Sequence, residues 1–185
     1  NMLIEIQFRT KLQHLWATAL ETMGIYTQTN LKSSIGDENV LRFFVLVSSL
    51  FALKEGTPVC PNTSDNSDEI ISELKDIDKK LNIISTLSAI AVATNHISKI
   101  PKEKKGYHLL LLNFEEKEVK IASFPLKQIE AATNAYNKIE EENLPNVNAV
   151  LVSASTFDNL KEAYPNYFAD MKQFVNMMKK MLKDT

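Results

Sequence analysis

The chain has 185 residues, enough for one domain or two small ones, and 44% of them are hydrophobic, which suffices for a core. Its 21 lysine and arginine residues against 23 aspartate and glutamate residues give a formal net charge of −2, so we expect neither nucleic acid nor a membrane as a partner. The 4 glycines, at positions 24, 36, 56 and 106, are too far apart for a dinucleotide-binding fingerprint or a P-loop. Cys60 is the single cysteine, which excludes an internal disulfide and favours a cytoplasmic setting.

The chain opens on a pattern that predicts a half-buried β-strand. Apolar and polar residues alternate there with the period of two that a strand requires: Ile4, Glu5, Ile6, Gln7, Phe8 and Arg9. Thr10 followed by Gln13 is the signature of a capping box and predicts that a helix begins at this point. Because the strand pattern starts at once, we expect the chain to be a segment truncated from a longer protein.

The middle of the chain is predicted to be helical. A second helix is expected over residues 38–53, followed by a loop over 55–66 that contains Gly56. Residues 67–98 contain neither glycine nor proline, and their apolar residues fall near heptad spacing. One long helix over 67–100, packed against a second copy of the chain, is one reading of this pattern, and a break near Asn82 is the other. The apolar stretch 83–97 is too short to span a bilayer.

The remainder of the chain predicts a small β-β-α-β-α unit. Strands are expected over 107–114, 117–124 and 149–153, and helices over 126–142, 155–164 and 168–182. The predicted fold class is therefore α+β, rich in helices, with an N-terminal strand from a larger mixed sheet. The predicted division of the chain is 1–54, a loop at 55–66, a long helix at 67–100, and a C-terminal subdomain at 101–185.

Three polar side chains of the opening strand are the first candidates for chemistry. Period two places Glu5, Gln7 and Arg9 on one side of the strand. A carboxylate in such a row can bind magnesium or take a proton from a hydroxyl, and an arginine can bind phosphate oxygens with two hydrogen bonds. The alternative is a solvent-facing strand with ordinary cross-strand pairs.

The same segment resembles the RelA/SpoT family, whose members synthesise the alarmones (p)ppGpp of the stringent response. The resemblance is carried by Glu5-Ile-Gln-Phe-Arg-Thr10, then by Gln13-His14-Leu15-Trp16-Ala17-Thr18 and by Glu21, and it covers about residues 3–26. More weakly, residues 163–170 resemble a tail found in some members of the family.

The resemblance implies a reaction and a set of site residues. The reaction is the transfer of pyrophosphate from ATP to the 3′-hydroxyl of GDP or GTP, with Mg²⁺ as cofactor. Glu5 corresponds to the catalytic glutamate, which binds Mg²⁺ and helps to activate the 3′-hydroxyl. Gln7 and Arg9 would belong to the same substrate-facing row, and His14 and Ala17 match the helix that flanks the acceptor guanosine nucleotide.

The sequence also departs from the family pattern. Members carry the ATP-binding basic residues, a magnesium-binding aspartate and a Gly-Tyr segment upstream of the glutamate, and none of these precedes Glu5 here. We therefore expect the C-terminal part of a pyrophosphokinase, inactive by itself and without a bound cofactor. The alternative is a non-catalytic oligomerisation or regulatory module built on the long helix and the C-terminal unit.

Overall fold

The computed structural model describes residues 6–97, 106–116, 118–163 and 165–183. These residues form a helix-rich structure with one small sheet, which confirms the α+β class. In chain order the elements are α1 Lys11–Thr27, α2 Glu38–Glu55, α3 Ser67–Leu81, α4 Ile83–Ile97, β1 Gly106–Asn113, β2 Glu118–Pro125, α5 Ile129–Glu142, β3 Val147–Ser153, α6 Ala154–Ala163 and α7 Tyr167–Lys183. Short 3₁₀ turns lie at Leu31–Ser33 and Leu126–Gln128.

The predicted opening strand is wrong over the part of it that the structure describes. Residues 6–10 belong to no regular element. Ile6 is 74% exposed and Phe8 is 92% exposed, so neither side chain is half-buried as a strand face would require. The physical reason is that alternation alone does not make a strand: a neighbouring strand must supply hydrogen bonds, and the described sheet is built from β1, β2 and β3 alone.

The predicted capping box is confirmed at the start of α1. The backbone N–H of Gln13 donates to Thr10 Oγ1 over 3.2 Å, and the backbone N–H of Thr10 donates to Gln13 Oε1 over 3.1 Å. Two backbone donors that a helix start leaves unsatisfied are thus bonded. The start of α1 is therefore fixed by local chemistry immediately after Arg9.

The predicted long helix over residues 67–100 is wrong as a continuous element, and the alternative of a break near Asn82 is confirmed. Asn82 ends α3 in the left-handed conformation, with φ 52° and ψ 34°. Asparagine accepts this conformation more readily than most residues. The carboxylate of Asp78 then accepts a hydrogen bond from the backbone N–H of Ile84 over 2.8 Å, which supports the first turn of α4.

The three strands form an antiparallel sheet in the order β2-β1-β3. The central strand β1 is the most deeply buried, and its Leu110 and Leu112 point into the core. The β-β-α-β-α order predicted for this part of the chain is confirmed.

Two hydrophobic clusters hold the fold together. The larger one joins α1, α2, α3, the first half of α4 and all of the buried face of α7. The smaller one packs the second half of α4, represented by Ile90 and Ile97, against the sheet. The final helix α7 therefore packs among the N-terminal helices through Tyr167, Met171 and Phe174, which are fully buried.

None of the helices in the described ranges is both long enough and apolar enough to cross a membrane.

Candidate functional site

The residues of the predicted polar row are only partly described. Glu5 lies outside the described residues, so its predicted catalytic and magnesium-binding roles are predictions still. Gln7 and Arg9 lie together, because the Arg9 guanidinium donates a hydrogen bond to Gln7 Oε1. Both residues are exposed to solvent. The two are thus on the same side of the segment, as the sequence predicted, although the segment is not a strand.

Arg9 lines a groove between α1 and α2 that has a volume of about 500 Å³. Ala17 is the second predicted substrate-binding residue that lines this groove. It lies within α1, which begins after Arg9. Three parts of the chain border the groove. The first is α1 with the residues before it, the second is α2, and the third is formed by the loops. Their lining residues are, in this order, Arg9, Gln13, Trp16, Ala17 and Leu20; Ser48, Phe51, Ala52 and Glu55; and Lys32, Thr57, Pro58 and Cys60.

Helical spacing explains why α1 presents these residues together. Gln13, Ala17 and Leu20 follow one another at intervals of four and three, which places them on one face of α1. The indole N–H of Trp16 donates to the backbone carbonyl of Phe44 over 2.8 Å, and this bond ties α1 to α2 beside the groove. The two rings meet edge to face with their centroids 6.4 Å apart.

The charges around the groove are mixed. Arg9 and Lys32 are the cations among its lining residues, and Glu55 is the anion. Lys32 forms an ion pair with Glu21, which links the 3₁₀ turn back to α1. A guanidinium at one edge of a groove with an apolar floor is suited to bind an anionic ligand that also has a flat apolar part.

The loop that closes one side of the groove is held by hydrogen bonds. The backbone N–H of Cys60 donates to Ser49 Oγ over 3.0 Å, and Ser49 Oγ lies 2.8 Å from Thr63 Oγ1. Arg42 donates to the backbone carbonyl of Asn62 over 2.9 Å. The backbone N–H of Thr57 donates to the carbonyl of Ala52 over 2.9 Å, so the start of this loop is bonded to α2 beside the groove.

His14 is not among the residues that line the groove and contacts α7 instead. Its Nε2 is 2.9 Å from Oδ2 of Asp170 in α7, and Lys11 Nζ donates to Oδ1 of the same carboxylate. Asp170 is 2% exposed. The structure therefore brings Gln7, Arg9 and Ala17 to one region, while His14 contacts α7.

The Asp170 carboxylate is stabilised in its charged form. Burial by itself would raise the pKa of Asp170, but the hydrogen bonds from Lys11 and His14 outweigh it and hold the pKa below the ordinary value. An ionised carboxylate with two donors can be buried, whereas an unpaired one cannot.

Sequence reasoning missed Asp170 and its partner Lys11. A usable signal existed: Asp170 follows Tyr167 by three residues and precedes Phe174 by four, so it lies on the apolar stripe of α7. A charged residue on such a stripe needs a partner from another element. The sequence could not say which element supplies it, because Lys11 is 159 residues away.

Size alone does not single out the groove. A cavity of about 520 Å³ lies between α4, the end of the sheet and α7, where it is bordered by Val92, Phe114 and Lys179. That cavity contains none of the predicted site residues. The groove between α1 and α2 is the better candidate because Arg9 and Ala17 border it.

A search for metal ligands covers the described ranges 6–97, 106–116, 118–163 and 165–183. No three histidine, cysteine, aspartate or glutamate side chains in these ranges cluster closely enough to hold a metal ion. The predicted Mg²⁺ ligand, Glu5, lies outside these ranges.

No model of a known protein family matches the chain, and no curated protein matches it significantly.

Proposed function

We propose that this chain is the C-terminal part of a cytoplasmic (p)ppGpp synthetase-like protein and that it supplies one wall of the site for the acceptor nucleotide. The observation that carries the proposal is that Arg9 and Ala17 border one groove, with Gln7 hydrogen-bonded to Arg9. These three residues belong to the segment that resembles the RelA/SpoT family.

The reaction explains why such residues are useful. GDP and GTP are anionic and carry a flat apolar base, and the groove combines the Arg9 guanidinium with the aromatic side chains of Trp16 and Phe51. Transfer of pyrophosphate to a 3′-hydroxyl needs a group that accepts the hydroxyl proton and cations that neutralise the phosphate charge. Glu5 is proposed for the first task. The two cations that line the groove are Arg9 and Lys32, and Lys32 is paired with Glu21, so we propose that ATP binds to other residues of the longer protein.

Glu5 is the one residue of this chain that we propose as a ligand of Mg²⁺. When bound, the ion would neutralise phosphate charge and bring the pyrophosphate donor close to the acceptor hydroxyl. The described residues offer no further group of ligands for it.

The test is alarmone synthesis by the longer protein with the Glu5→Gln substitution. Removing a general base costs about 10²–10⁴-fold in rate, so we expect synthesis from ATP and GDP or GTP to fall at least about a hundredfold. Glu38→Gln, on the exposed first turn of α2, is the matched control and should leave synthesis unchanged. Unchanged synthesis by Glu5→Gln would contradict the proposed role of Glu5. If the unsubstituted longer protein synthesises no alarmone, the proposal as a whole is contradicted.

A second candidate is a non-catalytic oligomerisation or regulatory module. It is favoured by large apolar side chains that are exposed, among them Val92 of α4 at 62% and Leu126 beside α5 at 65%. The break at Asn82 removes the continuous helix on which self-association through residues 67–100 was based. Sedimentation velocity over a range of concentrations tests this candidate, and a monomer at all concentrations would argue against it.

A further inference from the structure

Asp170 connects the last helix of the chain to the first turn of α1. Its two carboxylate oxygens contact different side chains, Lys11 Nζ at Oδ1 and His14 Nε2 at Oδ2. Lys11 and His14 are three residues apart, so both project from the same side of α1. The first turn of α1 is therefore attached to α7 at two points by one buried carboxylate.

The groove borders the same turn of α1 at neighbouring residues. Gln13 is adjacent to His14 in the chain and borders the groove, and Arg9 precedes the turn directly. Because a helix moves as a rigid unit, a change in the position of Lys11 and His14 against α7 also moves Gln13 and Ala17 against α2. Asp170 itself is not among the residues that line the groove.

We propose that Asp170 is a positioning residue for the acceptor groove: through Lys11 and His14 it holds Arg9, Gln13 and Ala17 at the distance from α2 that the acceptor nucleotide requires. This inference rests on the proposed function. Its physical basis is that displacements of about 1 Å in a binding site can cost up to about a hundredfold in kcat/KM, here through the binding of the acceptor. The role of His14 is then to hold the helix through Asp170.

Another ion pair between helices provides a comparison, with a carboxylate that is 43% exposed where Asp170 is 2% exposed. Arg42 of α2 donates to both carboxylate oxygens of Glu73 in α3, over 2.7 and 2.9 Å. Glu73→Gln removes a charge from a two-bond contact between helices, as Asp170→Asn does, but it leaves α1 untouched. The bond of Arg42 to Asn62 in the loop uses a separate guanidinium nitrogen, Nη1, and does not involve Glu73. A general loss of stability would affect both variants, whereas positioning of α1 affects only Asp170→Asn.

The experiment is steady-state alarmone synthesis by the longer protein, with GDP as the varied acceptor. We expect Asp170→Asn to raise the KM for GDP about tenfold while kcat changes by less than about threefold, and Glu73→Gln to change neither. Circular dichroism and the melting temperature of each variant establish that it is folded at the assay temperature.

A second variant covers the case in which Asp170→Asn does not fold. Lys11→Met removes one donor to Asp170 from a side chain that is 55% exposed, and it should raise the KM for GDP by a smaller factor. Lys80→Met, on the exposed surface of α3, is its control.

The outcomes separate this inference from the proposed function. In one outcome the unsubstituted protein synthesises alarmone, and Asp170→Asn and Lys11→Met have the same KM for GDP as the unsubstituted protein. This outcome overturns the positioning role alone. Equal changes in Asp170→Asn and Glu73→Gln overturn it as well, because they indicate a general loss of stability. No synthesis by the unsubstituted protein overturns the proposed function and this inference with it.

Discussion

Tyr26 at the end of α1 is hydrogen-bonded to Asn148 of β3, with Asn148 Nδ2 donating to the Tyr26 hydroxyl over 2.7 Å. The bond joins residues that are 122 positions apart in the chain. Tyr26 also packs against both hydrophobic clusters. Burial raises the pKa of Tyr26, and the hydrogen bond from Asn148 partly offsets this effect. The helix that carries the candidate site residues is thus attached to α7 near its start and to the sheet at its end.

The contact between Tyr26 and Asn148 should contribute measurably to the attachment of the sheet. In a double-mutant cycle with Tyr26→Phe and Asn148→Ala, we expect a coupling energy of about 0.5–1.5 kcal/mol, the net value of one hydrogen bond. Urea unfolding of the four proteins measures it. Tyr107→Phe serves as the control and should show no coupling to Asn148→Ala, because Tyr107 lies at the other end of β1 from Leu112, the partner of Asn148 in the sheet.

The left-handed conformation of Asn82 predicts which of two substitutions at this position is the more stable, and a continuous helix would predict the reverse order. Asn82→Gly should be more stable than Asn82→Ala by about 1 kcal/mol, because a Cβ is disfavoured at positive φ. At Asn176, an exposed position inside α7, the order should be reversed by a similar amount. Urea unfolding of the four variants checks both orders. A more stable Asn82→Ala would indicate that α3 and α4 are one helix.

Burial of Phe174 should make α7 a major contributor to the stability of the N-terminal helices. Phe174 is fully buried, and its ring meets that of Phe51 edge to face with a centroid distance of 6.3 Å. Phe174→Ala should lower the free energy of unfolding by about 3–5 kcal/mol. Phe8→Ala, at a residue that is 92% exposed, should change it by less than about 0.5 kcal/mol. Equal effects of the two substitutions would contradict this arrangement of the core.

Tyr167 should make the protein sensitive to alkali. Burial raises the pKa of Tyr167 to about 12 from the ordinary 10.0, and its hydroxyl lies 3.3 Å from Thr22 Oγ1. Between pH 10 and 12 the unfolded chain loses this proton while the folded chain keeps it, so the free energy of unfolding falls as the pH rises. The contribution is complete below pH 10 and amounts to about 3 kcal/mol.

The Tyr167→Phe variant isolates this effect. Its free energy of unfolding should be lower near neutral pH but should fall less steeply than that of the unsubstituted protein above pH 10. Urea unfolding at several alkaline pH values provides the comparison. Parallel pH dependences of the two proteins would show that another group is responsible.

Local features of this fold could be predicted from the sequence because they depend on neighbouring residues. The capping box of Thr10 and Gln13 spans three positions, and the turn between β1 and β2 lies between two short apolar runs. The strand predicted for residues 4–9 failed over its described part because a strand depends on a partner elsewhere in the chain. The break at Asn82 was one of two readings, since asparagine is compatible with a helix interior as well as with a left-handed end.

The candidate site was predictable as a set of residues but not as a geometry. Arg9 was identified from the alternating polar row and Ala17 from the resemblance, and the structure adds that both border one groove. The opposite wall, with Phe51 and Glu55, could not be anticipated because the periodicity of α2 shows an apolar face without showing what it meets. The same limit explains why the contact between His14 and Asp170 could not be predicted, since the two residues are 156 positions apart.

The helix α4 belongs to both hydrophobic clusters and therefore couples the unfolding of one to that of the other. Its first half, with Ile83 and Leu87, belongs to the larger hydrophobic cluster, and its second half, with Ile90 and Ile97, belongs to the smaller one. Neither cluster can be dismantled without exposing apolar surface of the element that they share. We therefore expect a single cooperative unfolding transition, and the backbone amides of α4 to exchange with solvent deuterium only through global opening.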